Sequence, residues 1–286
     1  MKNLLATLTG APRSSAKAGF AVPPGLRVYA VGDIHGRYDL FQQMLDAIEA
    51  DVDSHPPDDV RLVLLGDLVD RGPQSAEVVQ AARQLCESSD SVRVLMGNHE
   101  EVFLRVLDGD ADSVRFFLKI GGGPTLMSYG ITDCEMLTLK SRDLVDLVIE
   151  RVPRADADFL RGLENVVRYG DVVFVHAGVR PGVPIDEQKL ADLRWIRGDF
   201  LNSRSAHGAL VVHGHNISEE VEDHPNRVGI DTGAFASGKL SILALEGTTR
   251  RVITIEGAPD PQWASAIAPA PSESLIQSVK RLIKRD

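Results

Sequence analysis

Cysteine is almost missing from this chain of 286 residues: two occur, Cys86 and Cys134, and neither has a second cysteine or a histidine at metal-ligand spacing. That excludes a disulfide framework and a thiolate metal site, and it suits a reducing compartment such as the cytoplasm. Positive charge is short as well, with 31 Lys and Arg against 41 Asp and Glu and a formal net charge of −10. Such a balance lacks the basic surface that displaces counterions from nucleic acid, so nucleic acid is not an expected partner. Any phosphate the chain handles must be met locally, by a few cations or metals. Long apolar runs are absent, and no transmembrane segment is expected. The start, Met1 to Leu8, has one cation and a short apolar stretch before Gly10 and Pro12, which reads as a frayed terminus rather than a signal peptide. No internal repeat is evident.

What the chain does have is one repeated grammar: a short aliphatic or β-branched run, a polar cluster, then a segment of helical period. Val28-Tyr29-Ala30-Val31 precedes Gly-Asp-Ile-His-Gly, Leu62 to Leu65 precedes Gly-Asp-Leu-Val-Asp-Arg-Gly-Pro, and Val92 to Met96 precedes Gly-Asn-His-Glu. Apolar residues then recur at Leu40, Phe41, Met44, Leu45 and Ile48, and at Val102, Phe103, Val106 and Leu107, the spacing of amphipathic helices packed on a sheet. Alternating strands and helices imply βαβ units and a largely parallel buried sheet, with its ligands at the carboxyl ends of the strands. Residues 112–162 look mostly helical, broken at Gly121-Gly122-Gly123-Pro124. Further strand-like runs follow at Val172 to Val175, Ala209 to Val212 and Arg227 to Ile230, and Leu240 to Leu245 pairs with Val252 to Ile255 as a hairpin joined across Glu246 to Arg251.

Four regions result: a flexible segment 1–25, a catalytic domain 26–257 with 112–162 as helical insertion or cap, a Pro/Ala-rich linker 258–273, and a terminal helix 274–286. In that helix Leu275, Ile276, Val279, Leu282 and Ile283 share one face, with Lys280, Arg281, Lys284 and Arg285 around it. A basic amphipathic helix of this kind docks on the body or on a partner.

Five strand ends deliver oxygen or nitrogen donors: Asp33 and His35, Asp67, Asn98, His176, and His213 with His215. A donor set without thiolate suits Mn, Fe or Zn. A pair of such ions needs a bridging carboxylate, and Asp67, directly at the central strand end, is the natural bridge. Two ions would bring water to hydroxide near neutrality and neutralise phosphoryl oxygens, leaving cations and an acid to be found for the ester. His55 and His224 stand beside prolines and His207 in a polar stretch; none is given a role. Gly121 to Gly123 lacks the lysine of a phosphate loop and is a turn. Glu100 sits in a helix first turn, where the dipole favours a carboxylate.

GDIHG (32–36), GDLVDRG (66–72), GNHE (97–100), the lone histidine of VFVHAG (173–178) and the late GH pair (214–215) together resemble the metallophosphoesterase (calcineurin-like) superfamily. Within it they are similar to the phosphoprotein phosphatase branch, closest to compact bacterial and bacteriophage-type serine/threonine phosphatases, which carry a segment like IDTGAFASGKL (230–240). The likeness spans roughly residues 27–246 and departs from the eukaryotic pattern at Leu95-Met96, where leucine-arginine would stand. It implies an α/β fold of two packed mixed sheets flanked by helices, a four-layer α/β/β/α sandwich with the site at the strand ends. It further implies that Asp33 and His35 hold one metal, that Asp67 bridges, and that Asn98, His176 and His215 complete the second, most simply with manganese, iron or zinc being alternatives. His99 would be the general acid, held by Asp70; Arg71, Arg197 and Asn98 would contact the phosphate. His213 and His215 can both reach the edge, the likeness favouring the one after glycine, and Arg194 and Arg204 stand as alternatives to Arg197.

Ile217 occupies the place where many phosphodiesterases of the superfamily carry the second histidine of GHxH, which shifts weight towards phosphomonoesters. The leading expectation is therefore a two-metal phosphatase acting on phosphoserine and phosphothreonine of proteins or peptides, with hydroxide attacking phosphorus in one step. A dinucleoside tetraphosphate hydrolase of the same superfamily is the alternative; such relatives tend to have alanine in place of Asp70 and aspartate in place of Glu100. An inactive scaffold that binds phosphorylated partners is a third reading.

Overall fold

Every side chain of Val28-Tyr29-Ala30-Val31 is apolar or aromatic, so both faces of that strand have to be covered. The computed structural model, which describes residues 19–259, covers them with different partners. Residues 1–18 and 260–286 lie outside the described residues, and with them most of the expected N-terminal segment, the linker and the basic terminal helix. Ahead of the first strand Val22 is already buried, its N–H bonded to Gly247 O at 3.0 Å.

The first sheet contains β1 (Leu26–Val31), β2 (Asp59–Leu64), β3 (Val92–Val94), β9 (Lys239–Glu246) and β10 (Thr249–Glu256), in the order β10-β9-β1-β2-β3. Strands β1, β2 and β3 are parallel, while β9 and β10 join antiparallel. The second contains β4 (Val167–Tyr169), β5 (Val172–Phe174), β6 (Leu210–His213), β7 (Glu222–Asp223) and β8 (Arg227–Gly229), in the order β4-β5-β6-β8-β7. Its centre, β5-β6-β8, is parallel and its edges are antiparallel. The two mixed sheets that the resemblance implies are present, and the parallel pairing read from the βαβ grammar is confined to the middle of each. The hairpin turn shrinks to Gly247 and Thr248, because Thr249 to Arg251 carry on the ladder. Strands β4 and β7 are too short and polar to have shown a period.

Side-chain alternation builds the layers. Val28, Ala30, Val63 and Leu65 face Phe174, Leu210, Val212 and Val228 between the sheets. Tyr29, Val31 and Leu64 point the other way, onto Leu40, Phe41 and Met44 of α1 (Tyr38–Ser54) and the neighbouring α2 (Ser75–Ser88) and α3 (Asn98–Leu107). On the far side Val173, Val175 and Val211 meet Leu193 and Phe200, from the short helices Leu190–Trp195 and Gly198–Leu201. The result is helix, sheet, sheet, helix. The helices between Ala111 and Arg161 do not form a separate lobe. Their Val114, Phe117, Leu126, Leu144, Val148 and Leu160 belong to the same buried cluster as α1 and α3.

Candidate active site

Strand ends β1, β2, β3, β5 and β6 open onto one edge, and the backbone there is forced. Five non-glycine residues have left-handed φ: His35 (46°), Asp67 (48°), Asp70 (74°), Arg71 (70°) and His215 (63°). Each such residue costs of order 1–3 kcal/mol unless its surroundings over-determine it. The surroundings do so: Ile34 and His35 N–H donate to Asp67 O, Gly36 N–H to Leu68 O and Gly72 N–H to His35 O, at 2.8 to 3.2 Å. Glu100 finishes the lock. Its buried carboxylate accepts the N–H groups of Asp67, Leu68, Val69 and Gly97 at 2.7 to 3.1 Å. The helix dipole that motivated its sequence reading is the smaller part of its task, because four strand-end amides depend on it.

Asp67 lies at the centre. Its Oδ2 is 3.5 Å from His35 Nε2, and its Oδ1 is 3.4 Å from His176 Nε2. The ligand atoms of His35, Asp67 and His99, and those of Asp67, His176 and His215, each fall within 4.8 Å of one another, so Asp67 is shared by two clusters. Asn98 Oδ1 is 3.0 Å from His176 Nε2, and His215 N–H donates to both oxygens of Asp33 at 3.2 and 3.0 Å. Two imidazoles are held for ligation by their other nitrogen: Nδ1 of His35 donates to Val69 O at 2.7 Å and Nδ1 of His176 to Leu65 O at 2.8 Å. Each Nε2 is thereby left as a lone pair turned inward.

The residues fit a pair of divalent ions. His35 Nε2 and His215 Nε2 are buried and without a hydrogen-bond partner. Burial holds the imidazoles of His35, His99 and His215 well below their ordinary pKa and takes His176 down to about 4, so they present neutral nitrogens at pH 7. Burial also pushes the carboxyl of Asp33 well up, and Asp231 and then Asp67 push it the same way. Asp67 is raised too, chiefly by burial. Carboxylates crowded in a dry pocket need a compensating cation. Glycine makes the room: a Cβ on Gly97 would come within 2.1 Å of Asp67 Oδ1, and one on Gly214 within 2.0 Å of Asp33 Oδ1.

His99 differs from His35, His176 and His215 because its two nitrogens are held by charged side chains, an acid and an arginine. Nδ1 donates to Asp70 Oδ2 at 2.5 Å, and Nε2 accepts from Arg71 Nη2 at 3.0 Å. Asp70 is fully buried and fixed from behind: Thr125 Oγ1 donates to Asp70 Oδ1 at 2.8 Å and, with Ser75 Oγ, accepts the Asp70 N–H. Arg71 is set by packing. Its guanidinium carbon lies 4.5 Å over the Phe235 ring, and its N–H donates to Gly121 O at 2.9 Å. The Gly121 to Gly123 stretch, read as a plain turn, is part of a wide π-helical turn (Leu118–Gly122), where Gly121 has φ 114° and a Cβ would meet Arg71 Cγ at 2.9 Å. Its role is to back an arginine at the site.

Arg197 joins the edge, donating from Nη1 to Asn216 Oδ1 at 3.2 Å. Burial lowers its pKa and the positive charge of Arg71 lowers it further. Two guanidiniums converging there make an anion site. The alternatives lie elsewhere: Arg194 donates to Asn165 and Glu101, and Arg204 is exposed. His213 also turns away, with Nδ1 against Gly214 O and Nε2 facing Arg227, so His215 is the imidazole at the edge. His55 and His224 are exposed, and His207 packs beside Phe200. One acid went unread in the sequence. Asp231, 2% exposed, ends the run Arg227 to Ile230 and presses on Asp33 electrostatically. The signal was available, since a strand followed by an acid is also the pattern of Asp33 and Asp67.

Residues 26–238 match the model of the calcineurin-like phosphoesterase family. Over 267 aligned residues the chain is 43% identical to the symmetrical bis(5'-nucleosyl)-tetraphosphatase of Chromobacterium violaceum, covering 77% of this chain and 92% of that one. It is 28% identical to an asymmetrical bis(5'-nucleosyl)-tetraphosphatase of Anoxybacillus flavithermus, covering 74% and 88%. A crystal structure assigned provisionally as a diadenosine tetraphosphatase superposes with a TM-score of 0.58 at 22% identity, over 84% of this chain and 99% of the other. That last likeness speaks for the fold alone.

Proposed function

We propose that this chain, which belongs to the calcineurin-like phosphoesterase family and is a metal-dependent phosphoester hydrolase, cleaves the phosphoanhydride chain of bis(5'-nucleosyl) tetraphosphates. The observation that carries the substrate class is the 43% identity to a tetraphosphatase along nearly its whole length. It supports the reading that the sequence motifs ranked second. Those motifs favoured protein phosphoesters partly through Glu100, yet that carboxylate accepts four backbone N–H groups and is a poor marker of substrate.

In this reading Asp33, His35 and Asp67 would hold one divalent ion, and Asp67, Asn98, His176 and His215 the other. Manganese is the ion we favour for this oxygen and nitrogen set, and the cytoplasm the compartment. The bound ions would supply a nucleophile at neutral pH and charge to offset the phosphoryl oxygens. The remaining work belongs to the chain. Arg71 and Arg197 clamp the non-bridging oxygens, with Asn98 beside them. As Arg71 swings to the phosphate it leaves His99 Nε2, which takes up a proton from solvent, passes it to the departing oxygen and returns to the neutral ring. Asp70 orients the ring through Nδ1 and stabilises its charged form.

The test is to incubate the Mn2+-loaded protein with bis(5'-adenosyl) tetraphosphate and separate the nucleotides. Two ADP, or ATP with AMP, supports the proposal and states the mode of cleavage. Inert nucleotide alongside phosphate release from a phosphoserine peptide would overturn it in favour of the second reading. That reading has one observation of its own: the buried 2.5 Å pair Asp70 and His99, an acid that anhydrides with good leaving groups hardly need and serine phosphoesters do.

A further inference from the structure

Arg197 is held by a neutral partner rather than by an acid, although Asp33, Asp67 and Asp231 all act on it electrostatically. A guanidinium can only donate, so the amide oxygen of Asn216 must face Arg197 and its nitrogen must face away. That Nδ2 is buried and has no acceptor in the structure. A bare buried donor is costly, and it asks for an acceptor from outside the chain. Its position says which kind. Asn216 follows His215 directly, its own N–H donates back to Gly214 O at 2.7 Å, and its partner is one of the two guanidiniums converging on the edge. Aspartate at 216 would bind Arg197 more strongly but would cancel its charge. Asparagine holds the arginine and leaves that charge for a ligand.

We propose that Asn216 is a further phosphate-contacting residue: Oδ1 holds Arg197 in position while Nδ2 donates to a phosphoryl oxygen of the substrate. The inference rests on reading the edge as a phosphate site, but not on which phosphate compound is turned over. Its test is calorimetric titration of the full-length, Mn2+-loaded protein with inorganic phosphate and with ADP, for wild type, N216D, N216A and R197A. Metal content and melting temperature are recorded for each. N216D, equal in size, should weaken phosphate binding by about tenfold or more, the value of one charge-assisted hydrogen bond. N216A should lose less, since it adds no negative charge. N216A added to R197A should weaken phosphate binding further, because the Nδ2 contact does not pass through Arg197; a merely structural tie leaves the double variant equal to R197A, and that equality overturns the proposal. N216D preserves volume and reads out the lost donor even if N216A is unstable. Wild-type protein that binds its metals but no phosphate would overturn the phosphate-site reading and this inference together. Phosphate binding that is equal in wild type and both Asn216 variants would overturn this inference alone.

Discussion

His99 and Asp67 show how little separates a ligand from an acid at the residue scale. The Nε2 atom of His99 is 3.9 Å from Asp67 Oδ2, against 3.5 Å for His35. What sets His99 apart is its partners, Asp70 on one side and Arg71 on the other, where His35 leaves Nε2 bare. We therefore expect His99→Asn to keep its full metal content by mass spectrometry while losing about 10²- to 10⁴-fold in turnover on an alkyl phosphate. The loss should be clearly smaller on an aryl phosphate or a dinucleoside tetraphosphate, whose leaving groups need less help. A variant that drops its metals would make His99 a ligand instead. The roles of His35, Asp67 and His176 as donors follow from residue type; their tautomers follow from Val69 O and Leu65 O, carbonyls of other strand ends that no local spacing announces.

Away from the site, elements are tied together by half-buried polar groups. Asp51 of α1 accepts from Tyr29 Oη of β1 at 2.5 Å and from Arg251 of β10 at 2.8 and 2.7 Å. Burial pushes the Asp51 carboxyl up, but the bonds from Arg251 and Tyr29 outweigh it and the net pKa falls below the ordinary value. A lowered pKa in the fold means that the stability Asp51 contributes is fully present above the unfolded value of about 3.9 and is lost as pH falls through the folded one. Asp51→Asn should accordingly flatten the acid side of a melting-temperature profile below about pH 4. At neutral pH it should cost of order 1–3 kcal/mol, since Arg251 and Tyr29 are left with a weaker acceptor. An unchanged profile would show that the tether carries no linkage. At the site end the segment around Gly121 to Thr125 plays a similar part, fixing Arg71 through Gly121 and Asp70 through Thr125. From sequence that stretch is a break between helices, because its hydrogen-bond partners lie some fifty residues away.

Over the whole molecule, the active edge is a concentration of buried charge: Asp33, Asp67 and Asp231 raise one another's cost of ionisation, and Arg71 and Arg197 offset it in part. Divalent ions that bind only the folded state stabilise it by mass action, about 2.7 kcal/mol at a hundred times the dissociation constant. For a chain of this size that is a rise in melting temperature of roughly 5–10 °C on adding Mn2+. Chelation should reverse the rise and abolish hydrolysis, and Mn2+ should restore both. A melting temperature indifferent to metal would contradict the two-ion reading of the edge. No helix among the described residues is long and apolar enough to cross a membrane.

The sequence by itself determined which strand ends carry oxygen and nitrogen side chains, the strands themselves and the family. Apolar runs of four to six residues ending in Asp, Asn or His are local patterns, and a buried parallel strand needs nothing more to be recognised. Only the tertiary structure decided which imidazole of His213 and His215 faces the edge, which arginine joins Arg71, that Glu100 serves the backbone, and that Asp231 and Asn216 stand at the same edge. Each of those is a contact between strand ends far apart in the chain, and its outcome depends on side-chain direction and burial, which adjacency in sequence does not encode.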